Sequence, residues 1–177
     1  MRRSRWKRGT LWLAALASGL ALATWLLLHG SLATLDGQAD LDGLAAPVRI
    51  QRDALGTVTI DAGNEADAMR ALGYVHAQER YFQMDLMRRA AAGELSELVG
   101  NATLGLDRQR RMHRLRARAA AQLASFGSGH GAALQAYSAG VNRGLHALRV
   151  RPWPYLLLLK APRAWQPVDS VLAGDAM

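Results

Sequence analysis

The chain begins with a basic segment that is followed by a long apolar run. Residues 11–28, LWLAALASGLALATWLLL, contain no charged residue. As a helix this run would be roughly 27 Å long at about 1.5 Å per residue, close to the thickness of about 30 Å of a bilayer hydrocarbon core. The cations before it are Arg2, Arg3, Arg5, Lys7 and Arg8. Because such cations stay on the cytoplasmic side, the pattern predicts that the remainder of the chain is exported.

Residues 1–33 therefore form either a signal anchor or a cleaved signal peptide. The apolar run is longer than the core of a usual signal peptide, which favours an anchor. Ser31-Leu32-Ala33 is a small-x-small sequence directly after the run, which favours cleavage. We expect an inner-membrane anchor that contacts membrane lipid through residues 11–28, with the domain on the periplasmic side. The alternative is a cleaved, periplasmic protein.

The exported part opens with a linker and a predicted β-hairpin. Residues 34–46 contain two glycines and several Asp and Ala residues, which is typical of a linker. PVRIQRD at 47–53 and TVTIDA at 57–62 are rich in alternating apolar and polar residues, which predicts two strands. Gly56 in the short connection favours a turn, so the two strands should pair.

A long helix should follow the hairpin. Asn64 is a favourable N-cap, and Glu65 and Asp67 place carboxylates in the first turn, where the helix dipole favours them. The helical spacing continues to about Ala92, and Gly93 is the expected residue just past the helix end. Its apolar side is so wide that we expect burial on more than one side. That side includes Leu72, Val75, Phe82 and Leu86.

Polar residues are threaded through this apolar helix. They are His76, Gln78, Glu79, Arg80, Gln83 and Asp85. Asp85 lies four residues before Arg89, which is the favourable order for a helical ion pair. Because an isolated buried charge is very costly, these groups require partners on the surface that packs against the helix. We interpret the six residues as a structural polar network, with His76 as a structural histidine.

Shorter helices are predicted in the second half of the chain. ELSELVG at 94–100 indicates a short helix, and a basic helix should occupy 107–124. GSGHG at 127–131 is predicted to be a flexible break before a helix at 133–148. Prolines at 152, 154, 162 and 167 then indicate a loop region around YLLLL at 155–159. The pattern as a whole predicts a mainly α fold with a short N-terminal β-hairpin.

Composition narrows the classes of function. At 177 residues, half of them hydrophobic, the chain can bury the core of one domain. It has no cysteine, which excludes disulfides and thiol catalysis. The net charge of +8 falls to +3 without the five N-terminal cations. A second basic cluster, which has no interleaved aromatic residue, comprises Arg108, Arg110, Arg111, Arg114, Arg116 and Arg118. We interpret it as a solvated helix face and expect no nucleic-acid partner.

No local motif supplies a complete catalytic or metal site. The five histidines, at 29, 76, 113, 130 and 146, are never three to five residues apart, so the sequence has no local zinc-ligand pair. GSGHG lacks the spacing of a dinucleotide fingerprint, and the chain has neither a P-loop nor a G-x-S-x-G motif. The residues by themselves therefore assign no catalytic residue and no metal ligand.

Several segments together are similar to one known family. GYVHAQERYFQMDLMRRAAAGELSELVG, residues 73–100, strongly resembles the signature of the penicillin acylase (penicillin amidase) family of N-terminal nucleophile hydrolases, which includes acyl-homoserine lactone acylases. Similar segments are APVRIQRDALGTVTI (46–60), AYSAGVN (136–142) and RAWQPVDSVLAGDAM (163–177). The resemblance implies that residues 47–177 are a partial α-chain domain of an αββα fold.

The resemblance also implies hydrolysis of the C–N bond of a small acyl-amide substrate. Family precursors are several times longer and cut themselves into an α chain and a β chain. The nucleophile is the serine that begins the β chain, typically followed by Asn. None of the eight serines in this chain precedes an Asn. We therefore expect an N-terminal fragment with no catalytic residue, which is inactive without the β chain of the same precursor.

Two further expectations and one competing hypothesis follow. By resemblance, the acyl-pocket segment begins near Met177, which is the one substrate-binding residue expected here. A calcium carboxylate of the complete enzyme would lie beyond the matched positions, so we expect neither a metal ligand nor a cofactor in this chain. The competing hypothesis is a membrane-anchored helical interaction module without catalysis. A reading frame that continues to a Ser-Asn sequence after a small residue would favour the hydrolase.

Overall fold

The computed structural model describes residues 2–174, with side chains from residue 11 onward, and is mainly helical. Helix α1 spans Arg2–Gly30. Its part Leu11–Gly30 has a mean hydropathy of 2.0 and is long and apolar enough to cross a membrane. The apolar side chains of this part do not pack into the rest of the described protein. By length and composition, α1 fits a signal sequence or a membrane anchor.

The predicted hairpin is present as a two-stranded antiparallel sheet. Strand β1 is Arg49–Arg52 and strand β2 is Val58–Asp61, with Ile50 opposite Ile60. The Asp53 carboxylate closes the connection by accepting two backbone N–H groups of the turn at 2.9 and 2.8 Å. Alternate residues of both strands are half-buried and the others exposed, so the hairpin packs with one face only.

The predicted long helix is α2, Glu65–Ala92, with both predicted ends. The Asn64 side chain accepts the backbone N–H of Asp67 at 2.9 Å, as an N-cap should. Gly93 follows the helix in the left-handed conformation at φ 72°, which a residue without Cβ adopts at little cost. Arg80 has a non-helical conformation, with φ −142° and ψ 22°, and interrupts the helix where no proline or glycine indicates a break.

The second half of the chain contains six more helices within the described residues. They are α3 Ser96–Val99, α4 Leu104–Met112, α5 Leu115–Ser125, α6 Ser128–Ala147, α7 Trp153–Leu157 and α8 Pro167–Gly174, with a 3₁₀ turn at Gly100–Thr103. Helix α7 lies inside the predicted loop region. The mainly α fold with a two-stranded sheet is thus the one that the hydrophobic pattern predicts.

Two of the predicted boundaries are wrong. The basic helix predicted at 107–124 is divided at Arg114, which adopts the left-handed conformation at φ 52°. The flexible break predicted at 127–131 is mostly helix, because α6 begins at Ser128. Glycine lowers helix stability by about 1 kcal/mol per residue but does not forbid a helix, and extending an existing helix adds a hydrogen bond per residue.

The core forms where α2 packs against α6. Glycines allow these two helices to approach closely: a Cβ on Gly73 would collide with the backbone of Tyr137, and a Cβ on Gly140 with the backbone of Arg70. The main buried cluster comprises Ala77, Tyr81, Met84, Leu98, Val141, Tyr155 and Trp165. A smaller cluster, in which α5 and α8 meet the end of α2, comprises Ala91, Ala92, Ala119 and Leu172. Helix α2 is therefore central to both clusters.

Candidate functional site

The most polar part of the interior is a cluster of charged side chains around Arg88, which we call the Arg88 cluster. Arg88 is fully buried on α2. Its Nε donates to the Asp85 carboxylate at 2.7 Å, and its Nη1 donates to the Asp169 carboxylate of α8 at 2.6 Å. Its remaining hydrogen bonds go to the Ala164 carbonyl, the Arg163 carbonyl and the Tyr81 hydroxyl. A guanidinium has five N–H donors, and Arg88 makes five hydrogen bonds.

The surroundings of Arg88 favour its charged form. Burial by itself lowers the pKa of Arg88, but its interactions with Tyr81, Asp85 and Asp169 outweigh burial and raise that pKa above its ordinary value. The guanidinium also lies 4.8 Å from the centroid of the Trp165 ring, in cation–π range. Arg88 is therefore a permanently charged group that joins α2 to α8 and to the segment before α8.

Two phenols complete the interior of the cluster. The Tyr155 hydroxyl of α7 donates to the second oxygen of Asp85 at 2.6 Å, while Arg89 donates to the first at 2.9 Å. The Tyr81 hydroxyl donates to the Arg163 carbonyl. Burial raises the pKa of Tyr155 and raises that of Tyr81 to about 12. Both phenols therefore stay protonated at neutral pH and act as donors.

The outer part of the cluster involves Glu94, just past α2. Its carboxylate accepts hydrogen bonds from Arg116 at 2.7 and 3.0 Å and from Arg163 at 2.7 Å. Burial raises the pKa of Glu94, but these hydrogen bonds outweigh burial and hold the pKa below its ordinary value. Arg116 also donates to Asp169 at 3.1 Å. The interpretation of the basic cluster as a solvated face is therefore wrong for Arg116, which is half-buried and pairs with Glu94 and Asp169.

The six polar residues that the sequence singles out on α2 are not brought together. Asp85 belongs to the Arg88 cluster, and its predicted ion pair with Arg89 is present. Glu79 instead pairs with Arg52 of the hairpin at 2.7 Å. Gln78 donates to the hydroxyl of a neighbouring tyrosine on α2 at 3.0 Å. Arg80 and Gln83 are exposed, and their side chains form no hydrogen bond with the described residues.

His76 occupies a separate position at the interface of α2 and α6. Its Nδ1 lies 3.0 Å from the Tyr137 hydroxyl. Burial lowers the pKa of His76, the Arg80 cation lowers it further, and Glu79 opposes both to a smaller extent. His76 is therefore neutral at pH 7. This contact ties two packed helices together, which is a structural arrangement.

An open cleft of about 530 Å³ lies beside the interruption of α2. One wall is the polar face of α2 with Gln78, Arg80 and Gln83, and the other includes Trp153 and the segment 31–35 that follows α1. More apolar than polar surface lines the cleft. Four of the six singled-out residues, including Glu79, thus border one cleft although they do not hydrogen-bond one another.

Several residues of the Arg88 cluster were missed by sequence reasoning. Asp169 had a usable local signal, because it stands three residues after Gln166 and accepts that residue's backbone N–H at 2.9 Å, like the acidic partner of a capping box. Tyr155 and Arg116 had no such local signal, because the aspartates to which they donate lie 70 and 53 residues away in the chain. Met177, the expected substrate-binding residue, lies outside the described residues.

Comparison with known proteins identifies the family. The family model described as penicillin amidase matches residues 47–177, which is most of the chain. This chain belongs to the penicillin amidase family. The match includes α2, α6, α8 and the residues of the Arg88 cluster.

Individual relatives agree with this family. The penicillin acylase 2 proenzyme of Pseudomonas sp. (strain SE83) is 40% identical over 144 residues, which is 81% of this chain and 19% of that protein. The acyl-homoserine lactone acylase QuiP of Pseudomonas aeruginosa is 38% identical over 143 residues, 80% of this chain and 17% of that protein. The chain thus spans about a fifth of the length of these curated relatives.

A solved structure shows the same fold. A thermostable penicillin G acylase from Alcaligenes faecalis superposes with a TM-score of 0.66 at 26% identity, over 73% of this chain and 71% of that chain. Most of this chain therefore has the same fold as that penicillin G acylase.

Proposed function

We propose that residues 47–177 are the α-chain portion of an exported amide hydrolase that cleaves the C–N bond of small acyl amides. The observation that carries the proposal is the family match over all of these residues. The relatives that support it are named as acylases of penicillins and of homoserine lactones, and one of them is a proenzyme. These names do not decide between a penicillin and a homoserine lactone as the substrate, so neither its acyl group nor its amine is assigned.

In this proposal the nucleophile comes from the β chain of the same precursor. Its N-terminal serine would attack the amide carbonyl while its own α-amine takes the hydroxyl proton, and water would then hydrolyse the acyl-enzyme. None of the serines of this chain precedes an Asn, and no described serine hydroxyl is hydrogen-bonded to a histidine ring. The chain by itself is therefore proposed to be inactive. By resemblance, we expect the calcium carboxylate of the complete enzyme to lie beyond these positions.

The proposed contribution of this chain is positioning. The Arg88 cluster holds α8 against α2 through the pair between Arg88 and Asp169. Met177 follows α8 by three residues. We propose that fixing α8 helps to position the segment after it, which the resemblance assigns to the acyl pocket.

Activity assays test this proposal. This chain and a complete precursor that contains it would be assayed for hydrolysis of a penicillin and of an N-acyl-homoserine lactone. We expect turnover from the processed precursor and none from residues 1–177. Turnover by residues 1–177 alone would refute the claim that the nucleophile lies elsewhere, and a processed precursor that cleaves no acyl amide would refute the proposed reaction.

We further infer that α1 stays attached as an inner-membrane anchor, with the domain on the periplasmic side. The Val150 N–H donates to the Gly30 carbonyl at 2.9 Å, and Ser31, directly after α1, is only 7% exposed. A Cβ on Gly30 would lie 2.7 Å from the Val150 side chain, so the end of α1 packs closely against the domain. Cleavage after Ala33 would remove these contacts, which supports the anchor.

The mass of the protein recovered from the membrane fraction tests the anchor. We expect the intact N-terminus in that fraction and no release by a high-salt wash. A soluble periplasmic form that begins after Ala33 would show that the segment is a cleaved signal peptide.

A further inference from the structure

Helix α7 and the turn after it expose a patch of large apolar side chains. Leu157 is 74% exposed, Leu159 is 84% exposed and Trp153 is 48% exposed. Trp153 and Leu157 are four residues apart in α7, so they lie on one face, and Leu159 follows two residues later. Single exposed apolar residues are common, but a contiguous group of this kind marks an interaction surface. We call these three residues the α7 patch.

The backbone conformation of Leu159 is a second unusual feature of the patch. Leu159 has φ 53°, in the left-handed region that leucine rarely adopts. The N–H of Lys160 returns to the Tyr155 carbonyl at 3.0 Å, so Leu159 occupies the position where glycine usually ends a helix. The chain thus places an exposed leucine at a position where glycine is usual.

The patch lies next to the end of the apolar helix α1. Val150, which bonds to the Gly30 carbonyl, is only three residues before the start of α7. Three residues of chain span at most about 10 Å. The headgroup layer on each side of a bilayer is roughly 5–8 Å thick beyond the hydrocarbon core. If α1 spans the membrane, the start of α7 is therefore held within the headgroup layer or directly next to it.

The charges around the patch match a lipid surface. Arg149 and Arg151 precede α7 and Lys160 follows it, and all three are exposed. Cations at this level attract anionic headgroups, and tryptophan is enriched at the boundary between headgroups and acyl chains. A protein partner, including the β chain of the proposed precursor, would need carboxylates to pair with these cations, whereas a membrane surface supplies the negative charge and the apolar layer together.

We propose that the α7 patch inserts into the outer face of the same bilayer that α1 crosses. The domain is then held by two contacts, the transmembrane helix and a monotopic helix, and has a fixed orientation at the membrane. The proposal rests on the inferred anchor and is independent of the proposed amide hydrolysis. It assigns a role to the exposed leucines of the YLLLL segment, Leu157 and Leu159.

Thiol labelling in vesicles tests the insertion, because the chain has no cysteine of its own. The variants Leu157→Cys and Leu159→Cys report on the patch, and Leu55→Cys, at a hairpin position that is 92% exposed, is the matched control. Leu20→Cys in α1 reports on insertion of the anchor. Each full chain is reconstituted in phosphatidylcholine vesicles, with and without phosphatidylglycerol, and treated with a charged maleimide that does not cross membranes.

We expect the thiols of the patch to react at least about tenfold more slowly than that of Leu55→Cys. Each variant keeps Trp153 and one of the two leucines, and moving these two side chains out of water shifts the equilibrium on the order of 100-fold, so the patch should be inserted most of the time. Adding phosphatidylglycerol should increase the protection, and the double change Arg149→Gln and Arg151→Gln should reduce that increase by about fivefold per charge removed.

Three results would overturn the proposal. If Leu159→Cys reacts as fast as Leu55→Cys while Leu20→Cys is protected, the anchor is inserted and the patch is not. If Leu20→Cys also reacts fast, α1 is not inserted and the inferred anchor fails as well. If protection of the patch disappears when the protein is diluted in lipid, a second copy of the chain covers it. None of these results bears on amide hydrolysis, which is assayed separately.

Discussion

Replacing Arg88 by methionine tests the view that buried charges hold this fold together. Methionine keeps most of the side-chain length but removes all five hydrogen bonds that the guanidinium makes. At about 1.5–3 kcal/mol for each hydrogen bond to a charged group, their sum would be on the order of 10 kcal/mol. Such sums overestimate the loss, because the partners relax.

The partners left behind set the expected magnitude. Asp85 keeps hydrogen bonds from Arg89 and Tyr155, and Asp169 keeps those from Arg116 and from the Gln166 backbone N–H. Neither carboxylate is therefore left entirely without a donor. We expect the loss of unfolding free energy to be about 3–5 kcal/mol, the usual cost of removing one partner from a buried ion pair. Total stabilities are about 5–15 kcal/mol, so this loss would be a large share.

Urea unfolding of the full chain in detergent micelles measures this loss, with tryptophan fluorescence as the signal. Trp165 contacts the Arg88 guanidinium and should report the transition. At an m-value of about 2 kcal/mol per molar urea, the midpoint should fall by roughly 2 M. The matched control Arg108→Met removes an exposed arginine and should leave the midpoint almost unchanged.

Conservative replacement sharpens the test. Arg88→Lys keeps the charge but has three donors on a point charge in place of a planar fork, so it should recover only part of the loss. A loss below about 1 kcal/mol for Arg88→Met would refute the reasoning, since breaking a buried ion pair should cost several times more. It would show that the carboxylates are satisfied without the guanidinium.

Three further outcomes are expected. Gly140→Ala should lower the free energy of unfolding by about 1–3 kcal/mol, because the added Cβ would collide with the backbone of α2. Gly105→Ala, at a position with open space around it, should instead raise that free energy by about 0.4–1 kcal/mol. Urea midpoints measure both changes, and equal effects would contradict the close packing of α2 and α6. Asn64→Ala should cost about 1 kcal/mol through loss of the N-cap, and Asn101→Ala, at an exposed position, much less, as thermal unfolding would show. Because the pKa of Glu94 is below its unfolded value of 4.5, its stabilisation is present above pH 4.5 and is lost as the pH falls through the folded pKa. Glu94→Gln should flatten that acid loss in urea midpoints measured against pH, and an unchanged acid limb would refute the assignment.

Local sequence signals correctly predicted the helix and the strands that are bounded by capping or turn residues. Asn64 and Gly93 bounded α2 correctly because capping depends on residues within one turn of the helix end. The hairpin was predicted for the same reason, since strand alternation and a turn glycine act locally. Arg114 carries no comparable signal. The chain changes direction at Arg114, so that α5 places Arg116 beside Glu94 and Asp169. Both of these ion pairs are long-range interactions.

The polar residues of α2 show the limit of such signals. Helical spacing placed Asp85 beside Arg89, because that pair lies within one helix. It could not separate Asp85, which is fully buried, from Gln83, which is exposed, because burial depends on where α7 and α8 pack. The interruption at Arg80 likewise has no glycine or proline to indicate it.

By itself the sequence determined the apolar helix, the hairpin, the long capped helix and the family, because each rests on neighbouring residues or on residue order. The tertiary structure alone decided that Arg88 joins α2 to α8, that Glu79 pairs with the hairpin, and that Gly30 packs on Val150. These contacts join residues 81, 27 and 120 positions apart. Hydrogen bonds and ion pairs act over a few ångströms, so only the packing of helices brings such distant residues within range.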